Sequence, residues 1–343
     1  MKKLLAVLLL ACAMAYAQVP VDVKKAEIAP GIWQFTVAAD GYVENLNSVA
    51  IIDDSGVLVF DTTTRPSTAR IILAEIRKIT NKPVRYVVNS HWHPDHWSGN
   101  EVFAAAFPGL EIIATEQERN LMLNMTPIWA KNLPPQIEAM TKALADNKEL
   151  TPQKRATEEL ELQRSREMVA ELVATKRVYP TLTYTDQLTI HRGTREFRFM
   201  SVTGDAVGTT VLYLPREKIL ITGDAVSHPL PYYTPPLSEH AKSIRALARL
   251  DVDIIVPGHG PAFRDKNYMN LEADLFEAAV KRVTRALREG AVSIDEVQAA
   301  VSLDDFKDRF TRGNEEAATN FPTVAKGLVR KAYIEARDNR EIR

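Results

Sequence analysis

The sequence of 343 residues contains one cysteine, Cys12. A single thiol cannot form an internal disulfide, and it cannot build a zinc site that needs several cysteine ligands. Any metal site in this protein would therefore use histidine and carboxylate side chains. The chain also lacks an excess of either charge, because 43 basic and 44 acidic residues leave a net charge of −1. Bulk electrostatics therefore give no attraction to nucleic acid or to an anionic membrane surface.

Long apolar runs are absent after the N-terminus, so the sequence predicts no membrane span. The N-terminus itself has two lysines, an apolar run over residues 4–14 and an A-x-A pattern at residues 15–17. This order is typical of a bacterial signal peptide, and it predicts that residues 1–17 are removed and that the mature chain is periplasmic or secreted. The alternative is a lipoprotein signal with a lipid anchor on Cys12, since residues 9–12 are close to a lipobox.

Residues 28–263 alternate short apolar runs with turn residues and helical periodicity, which predicts one domain of mixed α/β class. Two stretches of this domain share the order strand, helix, strand. Their predicted bounds are 57–60, 67–80 and 85–89 in the first stretch, and 219–221, 238–250 and 253–256 in the second. Both stretches place an acid and a histidine directly after buried strands. Such strand ends are where open α/β sheets bind their ligands.

Two helical segments do not follow this pattern. Residues 116–177 are highly charged and predict a helical insertion, with one helix starting at Thr151-Pro152. The insertion is either a solvated face or a lid over a cleft. Residues 264–343 predict a helical C-terminal extension, in which Gly290 ends one helix and Ser293 with Glu296 forms a capping box for the next.

The strongest chemical signal is the sequence His91-Trp92-His93-Pro94-Asp95-His96, which directly follows a predicted strand. Imidazole and carboxylate groups bind zinc and similar divalent ions, and alternate residues of one turn can face two metals. Asp224 and His259 follow later strands at matching positions. The pattern therefore predicts a metal site rather than a histidine-rich surface loop.

These residues resemble a known family. The H-x-H-x-D-H signature of the metallo-β-lactamase superfamily is matched by His91, His93, Asp95 and His96, and the similarity extends to Asp61, Asp224 and His259. The resemblance covers about residues 31–263 and implies an αββα sandwich with two metal ions at one edge of the sheets. For substrate the motif says little, because the same scaffold serves lactamases, glyoxalase II, lactonases and nucleases.

The resemblance also implies an enzyme, a metal-dependent hydrolase. In such an enzyme a metal-bound hydroxide attacks the carbonyl carbon of a small ester, lactone, thioester or amide, β-lactams included. The implied ligands are His91 and His93 for the first metal, Asp95, His96 and His259 for the second, and Asp224 as a bridge. Zinc is the default ion, with manganese or iron as alternatives. Asp95 would also orient the nucleophile or move its proton, and Asp61 would either hold the histidine loop or be a plain turn residue.

One position departs from the family pattern. Where members carry a third histidine for the first metal, this sequence has Asp205 between Gly204 and Gly208, and no histidine occurs between His191 and His228. Three alternatives are open: Asp205 is a ligand, the first site has one ligand fewer, or His228 moves in. If Asp205 binds, its short side chain requires a closer approach, which the flanking glycines permit. The added negative charge would favour a modest hydrolase, a weaker preference for zinc, or occupancy biased to the second metal.

Several nearby residues have two interpretations or a simple one. Trp92 and Trp97 either line a cleft or pack beneath the loop. Tyr232 and Tyr233 either donate a hydrogen bond to an oxyanion or belong to proline-rich packing.

Four further residues have a simple interpretation. Asn45 and Asn47 are predicted to form turns, and His191 and His240 are predicted to lie on the surface.

Two other functions are compatible with the same motifs. The missing third histidine suggests a degenerate member that binds metal or ligand without efficient turnover. A nuclease is disfavoured by the near-neutral charge and by the lack of a clustered basic face. The expected partner is therefore a small-molecule substrate.

Overall fold

The structure is a computed structural model that describes residues 21–40, 43–233 and 236–341. The predicted signal peptide at 1–17 and the lipobox residue Cys12 lie outside the described residues. Among the helices of the described ranges, none has the length and apolar character needed to cross a membrane.

The strands of these ranges form two sheets, and within each sheet neighbouring strands follow the order of the chain. The first sheet contains β1 (Val23–Ala29), β2 (Ile32–Asp40), β3 (Val43–Ile52), β4 (Val57–Phe60), β5 (Val84–Val88), β6 (Glu111–Thr115) and β7 (Leu182–Tyr184). The second sheet contains β8 (Gln187–Arg192), β9 (Arg195–Thr203), β10 (Val207–Leu214), β11 (Ile219–Gly223) and β12 (Ile254–Pro257).

The helices lie between and after these strands. They are α1 (Pro66–Ile79), α2 (Pro94–Trp97), α3 (Asn100–Ala106), α4 (Glu116–Asp146), α5 (Pro152–Ala174), α6 (Leu237–Leu247), α7 (Asn267–Arg288), α8 (Ile294–Ala300), α9 (Lys307–Thr311) and α10 (Glu315–Glu341). A short 3₁₀ helix, Asp304–Phe306, precedes α9.

The two sheets pack face to face, and helices cover both outer faces. Strand alternation explains the layering, because successive side chains point to opposite faces. In β4, Leu58 and Phe60 join the core between the sheets, whereas Val57 and Val59 pack under α1 and α3. On the other side, Leu220 of β11 packs under α6 and α7. The predicted αββα sandwich is confirmed.

Both predicted strand–helix–strand units are present. β4 and β5 pair in parallel around α1, and β11 and β12 pair in parallel around α6. Their carboxyl ends therefore point to one edge of the sandwich, and each unit delivers its following residues to that edge.

The predicted insertion forms a helical hairpin of α4 and α5. Thr115 and Thr151 cap the two helices by accepting hydrogen bonds from the backbone N–H groups of Glu118 and Lys154. The hairpin is tied to the domain where Ser67 Oγ donates to Glu171 Oε1 at 2.7 Å.

The C-terminal helices share a core with the second sheet. Phe276 of α7 and Phe321 of α10 are fully buried in the same apolar cluster as Leu220 of β11. The predicted capping box is present, since Ser293 and Glu296 exchange hydrogen bonds at the start of α8. The extension is therefore packed onto the sandwich along its length.

The predictions for three residues are wrong. His240, predicted on the surface, is fully buried in α6, where its Nε2 lies 2.9 Å from the carbonyl oxygen of Ala225 and burial lowers its pKa to about 4. Asn45 and Asn47 lie in β3 rather than in a turn. Asn47 is tolerated in a buried strand because its side chain finds partners on the neighbouring chain segments. His191 is exposed, as predicted, at the end of β8.

Glu272 of α7 predicts a pH dependence of stability. The side chain is fully buried, and neither carboxyl oxygen makes a well-aligned hydrogen bond. Burial raises its pKa well above the ordinary 4.5, against the opposing influence of the Ser227 backbone N–H. A raised pKa means that the folded state holds the proton, so its contribution to stability is present below pH 4.5 and is lost as pH rises through the folded pKa.

We expect Glu272→Gln to remove this loss. The free energy of unfolding of the variant should exceed that of the wild type increasingly from pH 5 to pH 9, by roughly 1–3 kcal/mol at the upper end, the usual cost of an unsatisfied buried group. Urea unfolding of the metal-loaded proteins measures it. Glu277→Gln, at an exposed position of the same helix, is the control, and parallel pH profiles for all three proteins would contradict the prediction.

Candidate metal centre

The predicted site residues meet at the edge where the parallel strands end. Asp61 follows β4, His91 to His96 follow β5, Asp224 follows β11 and His259 follows β12. Asp205 reaches the same edge from the turn between β9 and β10. Strand direction alone therefore explains how residues far apart in the chain come together.

All seven predicted ligands belong to clusters in which one side-chain atom from each residue lies within 4.8 Å of the others. The three clusters are His91, His93 and Asp205; His91, His96 and Asp224; and Asp95, His96 and His259. They share members, so the donor atoms form one continuous group.

Asp224 occupies the middle of this group. Its Oδ2 lies 3.9 Å from His91 Nε2, 3.5 Å from His96 Nε2 and 3.7 Å from His259 Nε2. One carboxylate thus faces rings from the predicted first and second metal sites. This is the position that a bridging ligand requires.

Asp205 lies beside His93, at 3.4 Å from its Nδ1 to Asp205 Oδ2. The backbone N–H of Asp205 donates to the carbonyl oxygen of Asp224 at 3.1 Å. Gly204 permits this approach, because a Cβ atom there would lie 2.7 Å from the Cα of Ala225. Burial raises the pKa of Asp205 to about 6, although nearby His93 opposes the shift. The short carboxylate therefore reaches the place that a longer histidine would fill, which supports the first of the three alternatives.

His228 packs away from the donor group. Its ring stacks on Phe263 with centroids 5.0 Å apart and meets the edge of Tyr268 at 4.9 Å. Among the clusters of donor atoms found in the described ranges, none includes His228. The alternative in which it completes the first site receives no support.

Asp61 holds the histidine loop from below. Its carboxylate accepts hydrogen bonds from the backbone N–H of Ser90 at 2.7 Å and from Ser90 Oγ at 2.8 Å, and it lies 2.7 Å from His96 Nδ1. Ser90 Oγ also lies 3.0 Å from His91 Nδ1. These contacts turn the Nε2 atoms of both rings toward the cluster. Asp61 is therefore more than a turn residue, and Ser90 is a supporting residue that the sequence analysis missed.

Asn47 and Gly258 hold the loop that carries His259. Asn47 Nδ2 donates to the carbonyl oxygens of Pro257 at 2.9 Å and Gly260 at 2.6 Å. Gly258 packs so closely that a Cβ atom would lie 2.0 Å from Asp224 Oδ1. A side chain at this position would displace either the loop or the central carboxylate.

The donor group fits divalent cations. His96 Nε2 and Asp224 Oδ1 are buried atoms without a hydrogen-bond partner, as the ligands of an ion would be. Burial alone would lower the pKa of His96, but Asp95, Asp224 and Asp61 outweigh it and raise the pKa well above its ordinary value. The carboxylates thus draw positive charge to His96 Nε2, and a metal ion would replace that proton.

The tryptophans and the insertion support the same loop. Trp97 is almost fully buried and its Nε1 donates to the carbonyl oxygen of Trp92 at 2.8 Å, so it packs beneath the loop. Trp92 is partly exposed and tilts against His93. Its backbone N–H donates to Glu118 Oε2 at 2.8 Å, and burial raises the pKa of this carboxyl well above its ordinary value. The first turn of α4 is therefore part of the support for the metal loop.

A pocket of about 560 Å³ opens beside Asp205 and His259. One wall is the segment 227–233, in which the Tyr232 ring meets His259 edge-on at 5.1 Å. A second wall comes from the start of α10 and the residue before it, and consists of Asn314, Glu316, Ala317, Asn320 and Val324. The insertion is predicted to be either a solvated face or a lid over a cleft, and the described lining of this pocket includes no residue of 116–177.

A family profile described as the metallo-beta-lactamase superfamily matches residues 41–259. This protein belongs to that superfamily. The matched range contains the whole donor group and the insertion, whereas α7 to α10 lie beyond it.

Similar proteins within the superfamily include sulfatases and lactamases. A linear primary-alkylsulfatase from a Pseudomonas species is 27% identical over 215 residues, which are 60% of this chain and 39% of that protein. The sec-alkylsulfatase Pisa1 from Pseudomonas has a similar structure, with a TM-score of 0.59 at 19% identity over 82% of this chain and 45% of that one. A metallo-beta-lactamase from Pontibacter korlensis has a TM-score of 0.50 at 19% identity over 73% of this chain and 96% of that one. The chain therefore spans about two fifths of the curated alkylsulfatase's length and most of the lactamase's.

Gly258 provides a direct test of the packing around Asp224. Because a Cβ atom would collide with Asp224 Oδ1, we expect Gly258→Ala to lose most of the bound metal and to melt at a lower temperature. Metal analysis of the dialysed protein measures the first effect. The control is Gly193→Ala, where a Cβ meets nothing within 4 Å and only the positive φ adds about 1 kcal/mol of strain. Full metal content in Gly258→Ala would contradict the prediction.

Asp205 provides a test of the first site. We expect Asp205→Asn to weaken the binding of one ion by at least about 10-fold, since even supporting residues of metal sites cost that much, and Asp205→His to retain it. Competitive titration with a chromophoric chelator measures each affinity. Asp186→Asn, at an exposed position in the bend between β7 and β8, is the control. An unchanged stoichiometry and affinity in Asp205→Asn would show that the first site lacks this ligand.

Proposed function

We propose that this protein is a hydrolase of small esters that uses two divalent metal ions, and that organic sulfate esters are its substrates. The observation that carries the proposal is the convergence of seven donor side chains beside an open pocket. Neither feature alone would be enough, because a buried donor group without access could be structural. Together they support a reaction centre with space for a substrate beside it.

Two observations favour sulfate esters over the carbonyl substrates. The curated relative, 27% identical over 60% of the chain, is named as an alkylsulfatase. The pocket also offers apolar surface for an alkyl group at Leu230 and Val324. The carbonyl esters, lactones, thioesters and amides expected from the sequence would use the same donor group, so they form the comparison class. Among these, β-lactams fit least well, because their carboxylate finds no lysine or arginine in the described lining.

In the proposed reaction, bound divalent ions would polarise the ester and activate water. The chain's own residues prepare this step. Asp61 and Ser90 fix the orientation of His91 and His96, and Asn47 fixes the loop of His259. Asp95 Oδ2 lies 3.2 Å from His259 Nε2, and in the proposed reaction this carboxylate orients the attacking water.

Tyr232 supplies a further polar group at the pocket. Burial, together with Asp224 and Asp95, raises the pKa of its hydroxyl, so the group keeps its proton at neutral pH. A phenol that stays protonated can donate a hydrogen bond to a developing oxyanion. The edge-on contact between the rings of Tyr232 and His259 keeps this hydroxyl group at the pocket, and packing alone is the alternative from the sequence.

We also propose export to the periplasm or beyond. The support is the signal-peptide pattern at residues 1–17. N-terminal sequencing of protein from a periplasmic fraction should begin at Gln18, whereas a lipid-modified Cys12 at the N-terminus would establish the lipoprotein alternative.

The activity is tested with purified, metal-loaded protein. Octyl sulfate, p-nitrophenyl sulfate, p-nitrophenyl acetate, a lactone, a thioester and a chromogenic cephalosporin form the substrate panel. We expect sulfate release that a chelator abolishes and added metal restores, and we expect Asp95→Asn to lower kcat by about 10²-fold or more. Asp251→Asn, at an exposed position, is the control. Absence of chelator-sensitive turnover at full metal occupancy would favour a member that binds without reacting.

A further inference from the structure

The pocket beside the metal centre has two carboxylates and two histidines, His228 and His259, in its described lining. Its carboxylates are Asp205 and Glu316, and among its described lining residues there is no lysine or arginine. Asp205 and His259 are assigned to the metal ions. His228 packs against Phe263 and Tyr268, and burial lowers its pKa, so Glu316 is the charged group left to face the substrate. Its side chain is exposed at the start of α10, which keeps its carboxylate available to a ligand in the pocket.

The remaining polar lining is neutral. Asn45, Asn314 and Asn320 offer amides, and Tyr232 and Tyr233 offer rings and hydroxyls. Asn314 Oδ1 already accepts the backbone N–H of Ala317 at 2.9 Å, so its amide nitrogen is the end left for the pocket. Aromatic faces attract cations and tolerate apolar groups, whereas they give nothing to an anion.

The N-terminus of α10, which forms part of this pocket, does not make the pocket attractive to anions. The N-terminus of α10 would favour an anion through its backbone N–H groups. However, Asn314 caps one of these groups, and Glu315 and Glu316 in the first turn supply two negative charges against the partial positive charge of the helix. The first turn of α10 therefore carries two carboxylates and a capped terminus on this side of the pocket.

We propose that the part of the substrate remote from the reacting ester is uncharged or cationic, and that Glu316 selects for it. This inference rests on the proposed function, because it assigns the reacting end to the metal centre and the remote end to the wall formed by α10. An exposed ion pair typically changes affinity by about 2- to 5-fold, and the change shrinks as salt is added.

The test uses three sulfate esters that differ only at the remote end. They are 6-(trimethylammonio)hexyl sulfate, its neutral isostere 7,7-dimethyloctyl sulfate, and 6-carboxyhexyl sulfate. We expect kcat/KM to be highest for the cation and lowest for the carboxylate. Glu316→Gln should reduce the ratio of cation to neutral isostere by about 2- to 5-fold, and Glu316→Lys should reverse the order of cation and carboxylate.

Glu315→Lys is the matched control. It makes the same charge change one residue away, in the same first turn, but Glu315 is not among the described lining residues. The effect of Glu316→Lys should fall as the salt concentration rises, which a merely structural effect would not show. Equal shifts from both lysine variants, or a wild-type preference for the carboxylate, would overturn the inference.

A binding measurement separates this inference from the proposed reaction. Choline and its neutral isostere 3,3-dimethylbutan-1-ol are titrated into metal-loaded protein by calorimetry, with no turnover required. We expect choline to bind more tightly than its neutral isostere, and Glu316→Gln to remove this difference. That result would support the charge selection even if no sulfate ester is hydrolysed. Equal affinity for the two probes would overturn it even if hydrolysis is observed.

Discussion

The site depends above all on the buried carboxylate of Asp224. Three histidine rings face its Oδ2 within 3.9 Å, and Oδ1 has no hydrogen-bond partner. Burying such a group is costly unless positive charge compensates it. The arrangement therefore favours positive charge among the donors, either as protons on His96 and His259 or as metal ions. The surrounding segments hold these closely packed donor side chains in position. Asp61, Ser90 and Asn47 hold the loops by hydrogen bonds, and Gly258 leaves room that any side chain would remove.

The part of the site that could be predicted is the part that depends on local sequence patterns. Short apolar runs that end in Asp or His predicted β4, β5, β11 and β12, and their parallel pairing put Asp224 and His259 at one edge. The position of Asp205 required the family's spacing as well. Its reach was foreseeable from Gly204, because a residue without a side chain permits the close contact with Ala225 that the structure contains.

The rest depends on contacts between distant segments, which leave little local signal. Glu118 supports the histidine loop from the insertion, and Glu316 lines the pocket from the C-terminal extension. Nothing in the sequence around either residue indicates its partner. His240 is different, because Leu237, Ala241 and Ile244 mark the buried face of α6 at helical spacing and His240 lies on that face. Because histidine is polar, a surface position was predicted, although the helical periodicity indicates a buried one.

The same long-range packing explains how substrate selection can be separate from metal binding. α10 is anchored by Phe321 and Leu328, which are fully buried in the core shared with α6 and the second sheet. Glu316 and Asn320 in its first turns are exposed and line the pocket. The buried residues therefore hold the helix in place, and these polar residues are not part of the core. Because α6 connects β11 to β12, this anchor also fixes the wall relative to Asp224 and His259. Substitutions on the exposed face of α10 can therefore change the charge and shape met by a substrate without moving the donor atoms.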